Sequence, residues 1–560
     1  MKHWMPAALA VVLGLALAVL ATTPQPSAPL SADETEFSAA RAMEHVRIIA
    51  REPHPTGSAE NAEVRAYLER QIEALGGEVT LEEASVPERG LEKMERWSGE
   101  RPEALTLTNV IGVFPGTDPS AEAVALMAHH DTVYGSPGAP DDSAGVAAIL
   151  ETVRAIRASG QAKRDIVILL TDGEELGLLG ARHFFAENPL AQRIGAIINL
   201  EARGGGGRTT LFQTSADNGA AIEVYAGAVG RPGGSSLATF IYEALPNDTD
   251  LTPALELDYA AYNLSFIGRP GQYHSPKATP DALDQGAVQD MGDQSLALTS
   301  ALANAEALPA PQPNRTFFDL LGLFLIHYGS VAGWLLLGVA AALHLLCLRG
   351  NMPGGWWRGL AAGGAVMVGG GVALYLANLL SGAGSGELRY YDRLAAIPML
   401  EGQALMLCVA ALVVALPLWA GRAGSILGML IALAMQIAAP TTAFLVVWPL
   451  LLAGIIGVSK RYLPGMSGDA LRVVLASVAL GMLLQFGHMF MQGVGPDLPS
   501  VGVLLAALAI PVLGPLVPPV EAKRAVVVAA ICTVAALTIA TYVRLDPIAE
   551  TVPAYRSMRG

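Results

Sequence analysis

The sequence predicts an α/β globule, with a mixed, largely parallel sheet flanked by helices, followed by an all-α polytopic transmembrane domain. Three observations carry this. Of 560 residues, 52% are hydrophobic and only 15% charged, an apolar excess beyond that of ordinary soluble chains. Charge is unevenly spread, because residues 316–560 hold 13 basic and 9 acidic side chains, whereas residues 33–315 hold 21 and 41. The later stretch reads as successive apolar spans; the earlier one alternates short apolar runs with amphipathic segments of helical length, the pattern of an α/β fold.

The elements follow in order. Residues 1–32 contain the apolar run 5–21 behind Lys2 and His3, which predicts a transmembrane anchor, with a cleaved signal peptide as the alternative. Ala-Thr-Thr-Pro at 21–24 is a poor small-x-small cleavage site and favours the anchor. Residues 33–310 form the globule. A helix over 58–75 begins at a capping Ser58 and stops at Gly76-Gly77. Apolar runs at 123–129, 165–171 and 194–200 are strand-like, with helices near 143–159 and 176–187 between them, so parallel strands with crossover helices are expected. The Pro-rich stretch Leu308–Asn314 predicts a stiff linker, placing a linker and juxtamembrane segment at 311–328.

From 329 to 560 eight apolar spans are expected, near 329–348, 359–380, 401–420, 424–439, 441–458, 471–491, 499–519 and 525–543. Each is long enough, or nearly so, for about 30 Å of hydrocarbon. The two flanking Pro440 are the shortest and leave open a single broken re-entrant unit. On one side of such a bundle fall Lys2, Arg349, Arg358, Arg422, Lys460, Arg461, Arg472, Lys523 and Arg524; on the other fall Arg389, Arg393, Arg544, Arg556 and Arg559. The richer side is the cytoplasmic one by the positive-inside rule, which puts the acidic globule across the bilayer from it. Gln436, Gln485 and His488 are polar groups at membrane depth and are expected to hydrogen-bond between helices.

Composition also excludes. The acidic balance argues against a nucleic-acid partner, whose readers concentrate Lys and Arg. Cys347, Cys408 and Cys532, the only cysteines, lie in apolar runs, so the globule has neither a disulfide framework nor a thiolate metal site. Gly204–Gly207 is not followed by Lys-Ser or Lys-Thr and reads as a flexible loop rather than a phosphate cradle. No G-x-S-x-G turn is present, and an esterase-type serine therefore lacks its usual support. His45, His54 and His183 fall on helix or loop surface and read as ordinary.

Against that background five short segments stand out: Ala128-His-His-Asp131, Pro140-Asp-Asp142, Asp172-Gly-Glu-Glu175, Asn199-Leu-Glu201 and Tyr273-His274. Four of them end a predicted strand. Gathered at the carboxyl edge of a parallel sheet, where ligand sites form, they supply two imidazoles and several carboxylates, a set suited to paired divalent metals. Strand alternation lets only one of His129 and His130 face such a site, and His129 is the choice here.

Over roughly residues 45 to 300 the chain resembles the M28 zinc metallopeptidases, and in particular their membrane-bound branch of endoplasmic reticulum and vacuolar enzymes. The likeness rests on HHDTV at 129–133, APDDSAG at 139–145, TDGEELGLLGA at 171–181, NLEARG at 199–204, NDTDL at 247–251 and YHSPKATPDAL at 273–283. It implies two zinc ions per chain. By resemblance His129 and Glu201 bind one ion, Glu175 and His274 the other, and Asp141 bridges both. Asp131 would then orient the His129 ring and Glu174 act as the general base. Peptides are the implied substrates and removal of N-terminal residues the implied reaction.

Two departures from the family pattern, Ser275 after the histidine and Lys277-Ala278 beyond it, touch no expected ligand. A related group that cyclises N-terminal glutamine uses a single metal and lacks the first histidine, so His129 favours hydrolysis over that alternative. The other alternative is a transporter whose globule only captures peptides. The expected setting is a multi-pass protein of a bacterial inner membrane with a periplasmic globule, or of an endoplasmic reticulum or vacuolar membrane in a eukaryote.

Overall fold

The three apolar runs form the centre of a seven-stranded sheet in the computed structural model, which describes residues 4–348, 356–384, 390–418, 425–495 and 497–545. The strands are β1 (Glu78–Ser85), β2 (Thr106–Phe114), β3 (Ala123–His129), β4 (Ile166–Thr171), β5 (Ile194–Ala202), β6 (Gly206–Thr214) and β7 (Ala260–Gly268). They lie in the order β1-β2-β4-β3-β5-β7-β6. The central ladders β4–β3, β3–β5 and β5–β7 are parallel, while β1–β2, β2–β4 and β6–β7 are antiparallel. The sheet is thus mixed and largely parallel, as predicted.

Every residue of β3 and β4 is buried, as expected of parallel strands covered on both faces. Alternation along each strand divides the cover. Val124, Leu126, Ile168 and Ile198 pack under helices Ala39–Ile49, Ala144–Ser159 and Gln285–Ala303. Ala125, Met127, Leu169 and Ile197 pack against Ala181 and Phe184 of helix Leu179–Glu187 and against Leu251. The helix expected at 58–75 runs over Ala59–Ala74, with the Ser58 side chain accepting from the Asn61 amide.

Several expectations need correction. The helix predicted from 176 starts at Leu179. Before it Gly173, Gly177 and Leu178 have φ of 74°, 117° and 60°, and the Glu174 and Glu175 amides are drawn to the Asp131 carboxylate instead of into a helical turn. Gly204–Gly207 is not a flexible loop. Gly204 and Gly205 lie in the tight connection between β5 and β6, and Gly206 and Gly207 open β6; a Cβ on Gly204 would lie 2.3 Å from the Gly268 carbonyl oxygen, so glycine is required there by close approach. The Pro-rich stretch does not run free either: Gln312, between two prolines, donates to the Asp217 carbonyl at 2.8 Å and accepts from the Gly219 amide at 3.0 Å.

The described chain divides into two units, one of Thr23–Asp319 with Leu323–His327, the other of the helix ending at Thr22, Leu320–Gly322 and the residues from Tyr328 onward. The second holds seven helices long and apolar enough to cross a membrane: Met5–Thr22, Ser330–Cys347, Trp357–Leu380, Asp392–Leu418, Phe444–Tyr462, Met466–Gly493 and Ala522–Leu545. Two expected spans are shorter, Ser425–Ala438 and Pro499–Leu513. The latter contains Pro511 and is followed by Gly514 and then Pro515, Pro518 and Pro519, a run that disfavours further helix. Lys2, Arg349, Arg389, Arg422, Arg556 and Arg559 of the charge-bias argument, and positions 419, 420 and 424 of the expected spans, lie outside the described residues.

Helix Met5–Thr22 packs closely on Met466–Gly493. A Cβ on Gly14 would come 2.8 Å from the Leu480 Cβ, the small-residue approach that joins helices in lipid. Polar contact between spans centres on Glu401, whose carboxylate meets His488 Nδ1 at 2.8 Å and accepts from Gln492 Nε2 at 3.2 Å.

Candidate metal centre at the carboxyl edge of the sheet

The predicted donors come together because each occupies, or closely follows, the carboxyl end of a parallel strand. His129 is the last residue of β3, and Asp141 lies in the turn Ala139–Ser143 that leads into helix Ala144–Ser159. Glu174 and Glu175 follow β4, Glu201 is the penultimate residue of β5, and His274 follows β7 after the short turn Pro270–Gln272. His129 Nε2 lies 3.1 Å from Asp141 Oδ1, and His274 Nε2 lies 3.1 Å from Asp141 Oδ2 and 2.8 Å from Glu175 Oε1. One carboxylate therefore faces both imidazoles.

Two three-residue sets share it. The ligand atoms of His129, Asp141 and Glu201 all lie within 4.8 Å of one another, as do those of Asp141, Glu175 and His274. Glu174 joins His129 and Glu175 in a third such grouping, beside the first two. His130 faces elsewhere, its Nε2 3.0 Å from the Thr108 carbonyl.

Asp131 stands beside the His129 ring. The His129 Nδ1 lies 3.0 Å from the Asp131 backbone carbonyl and 3.5 Å from its carboxylate. A proton on Nδ1 facing the carbonyl and carboxylate of Asp131 leaves the Nε2 lone pair directed at Asp141. The Asp131 carboxylate also accepts from the Glu174 amide at 3.1 Å and the Glu175 amide at 3.3 Å. It holds the turn that carries Glu174 and Glu175.

Electrostatics show a site rich in negative charge. Burial, then the nearby carboxylates, pushes Glu201 up to about 8 and holds Glu174 well above the usual range. Burial alone would raise Asp141 as well, but hydrogen bonds from His129 and His274 bring it to about 2. For the two imidazoles burial opposes the charged form and is outweighed by carboxylates: Asp131 and Asp141 raise His129, and Glu175 with Asp141 raises His274 to about 10. Asp142 Oδ2 and Asp250 Oδ1 are buried with no hydrogen-bond partner. Crowded, buried carboxylates are costly without cations, and imidazole nitrogens among carboxylate oxygens form a set that zinc accepts. The residues fit the metal.

Sequence reasoning missed several members of the surrounding network. His54 is not on the surface; it is 1% exposed, with its amide donating to Thr132 Oγ1 at 3.0 Å. Thr56, equally buried, reaches both Asp131 and Asp172. Asp250, inside a motif already singled out, accepts from the Thr171 hydroxyl. Nothing local marked Thr56, which lies 75 residues from Asp131, whereas an Asp within NDTDL could have been proposed for the site on motif grounds alone.

Fold and donor set together define a globule built to hold divalent metal at the edge of a parallel sheet. Residues 109–299 match the model of peptidase family M28. The chain is 33% identical to human endoplasmic reticulum metallopeptidase 1 over 314 residues, which cover 53% of this chain and 34% of that protein. It is 33% identical to the vacuolar membrane protease of Candida glabrata over 223 residues, covering 39% and 23% respectively. The chain thus spans about a third of the length of the former relative, and less of the latter. Among solved structures it is similar to an aminopeptidase from Aneurinibacillus sp. strain AM-1, at a TM-score of 0.40 and 14% identity over 50% of this chain and 98% of that one.

Proposed function

We propose that the protein is a membrane-anchored zinc metallopeptidase that removes residues from the free N-termini of peptides, using two metal ions. The observation that carries this reading is the pair of three-donor sets sharing Asp141, with Glu174 alongside. His129, Asp141 and Glu201 would hold one zinc and Asp141, Glu175 and His274 the other. When bound, the pair supplies Lewis acidity toward the scissile carbonyl and toward the attacking water. The protein's own part in the proton transfer falls to Glu174: its carboxylate takes a proton from the water as oxygen adds to the carbonyl carbon, then delivers that proton to the amine nitrogen as the C–N bond breaks. The Asp131 grip on the Glu174 and Glu175 amides keeps base and ligand in register.

The relatives' names, a metallopeptidase and a membrane protease, support the same reaction class. The apolar helices support a multi-pass setting, for which we propose a bacterial inner membrane with the peptidase domain on the periplasmic side. Metal analysis of the full-length protein should find close to two zinc ions per chain. A panel of aminoacyl and N-blocked peptides should show cleavage of the former only. Glu174→Gln should lower kcat by at least ~10²-fold, the loss expected for a missing general base. Equal rates for this variant and the parent would end the proposal. Product mass separates it from glutamine cyclisation, because hydrolysis adds water whereas cyclisation releases ammonia.

A further inference from the structure

Asp131 and Asp172 are two carboxylates buried side by side beneath the metal centre, each about 1% exposed or less. Between them stands a hydroxyl from a part of the chain that lies outside the M28-matching stretch. Thr56 Oγ1 is 2.9 Å from Asp172 Oδ1 and 3.3 Å from Asp131 Oδ2, so its single proton is shared between the two carboxylates in a three-centre bond. The other oxygen of Asp172 accepts from the Thr108 amide at 2.9 Å, so Asp172 is tied to β2 and gives the hydroxyl a fixed neighbour. Asp131 in turn accepts from the Glu174 and Glu175 amides, one on each carboxylate oxygen. The chain of contacts runs from the β2 amide to the Glu174–Glu175 turn with no gap.

We infer that Thr56 is a positioning residue, which acts through Asp131 to fix the turn bearing Glu174 and Glu175. Without the hydroxyl, Asp131 Oδ2 keeps only the 3.3 Å contact from the Glu175 amide, and the carboxylate can rotate away from both amides. The segment around Thr56 is itself fastened, by the His54 amide on Thr132 Oγ1 at 3.0 Å and by the Asn61 side chain, which donates to the His54 carbonyl at 3.3 Å. It is a strut, and the threonine is its tip.

This inference rests on the metallopeptidase reading for its catalytic consequence, but not for its structural one. Thr56→Val keeps the shape and removes the hydroxyl; Thr56→Ser restores it. In full-length protein, Thr56→Val should lower kcat by ~10- to 100-fold, the usual effect of losing a partner that orients a metal site, with KM within about twofold of the parent. Hydrogen exchange should quicken at the amides of 172–179 while peptides from helix Ala59–Ala74 stay protected. Thr56→Ser should recover both readouts.

Parent-like exchange and kcat in Thr56→Val would overturn the assignment. So would loss of protection throughout the globule without rescue by serine, which would mark the hydroxyl as part of the general fold. If the parent cleaves no peptide, the enzymatic reading fails, and local exchange with zinc titration of the three proteins still decides the role of Thr56.

Discussion

Two acids in this chain, one fully buried and one half-buried, are held in different ways. Asp131, in the globular unit, is gripped by two backbone amides and a threonine hydroxyl. Glu401, in the membrane unit, has the side chains of His488 and Gln492, both from one neighbouring helix. The difference follows from what the backbone has to spare. A turn between strand and helix leaves N–H groups free to bind a carboxylate, whereas a transmembrane helix uses all its interior N–H groups on its own carbonyls, so only side chains can meet an acid there. A carboxylate held by main chain has rigid partners, whereas one held by side chains shares their rotamer freedom.

That contrast can be tested, and the largest effect belongs to the metal centre. Removing zinc with a chelator should abolish peptidase activity and speed exchange at the β3, β4 and β5 ends, with helices such as Met466–Gly493 unchanged. Re-addition of zinc should reverse both; activity that survives full depletion would show that the crowded carboxylates hold no catalytic metal.

A second, intermediate effect is on pH dependence. Burial lowers the His54 pKa from 6.5 to about 4, so the unfolded chain binds a proton that the folded one refuses between these values. Stability of the globular unit should therefore be complete above about 6.5 and fall as pH drops toward 4. The loss attributable to His54 is on the order of 1–3 kcal/mol. His54→Gln should flatten this part of a melting-versus-pH curve, and an unchanged slope would show that other groups set it.

The smallest effect is expected in the membrane. Glu401→Gln should leave peptide turnover within twofold of the parent and lower stability in detergent by about 1 kcal/mol, typical of a polar contact between helices. His488→Ala should do the same, with the double variant costing less than the two singles combined because they share one bond. A large drop in turnover would mean that Glu401 does more than join helices.

The same contrast explains what could be read in advance. The clustering of His129, Asp141, Glu175 and Glu201 was legible because each sits in a short motif next to an apolar strand; alternation allowed only one of His129 and His130 to face the cluster without choosing between them. The parallel core β3, β4 and β5 was legible because full burial leaves an unbroken apolar run. β1, β2 and β6 were not, since β1 is largely exposed along its length and all three pair antiparallel with partners fixed only by tertiary structure. Helix Leu179–Glu187 began late because the chain before it serves Asp131, a demand that comes from 43 residues away. Glu401 was overlooked as the first residue of an apolar span, since helix Tyr390–Ala415 begins well before it.

The seating of Gly14 against Leu480 has a consequence for biogenesis. The two halves of that contact are 466 positions apart, and at about 5–20 residues per second a ribosome needs roughly 20 to 90 s to pass from one to the other. Throughout that interval helix Met5–Thr22 must wait, in lipid or with an insertion factor, without the partner that it finally packs on. Its glycine notch then faces acyl chains until its mate is translated, and any protease that severs it in that window would rob the finished bundle of a wall.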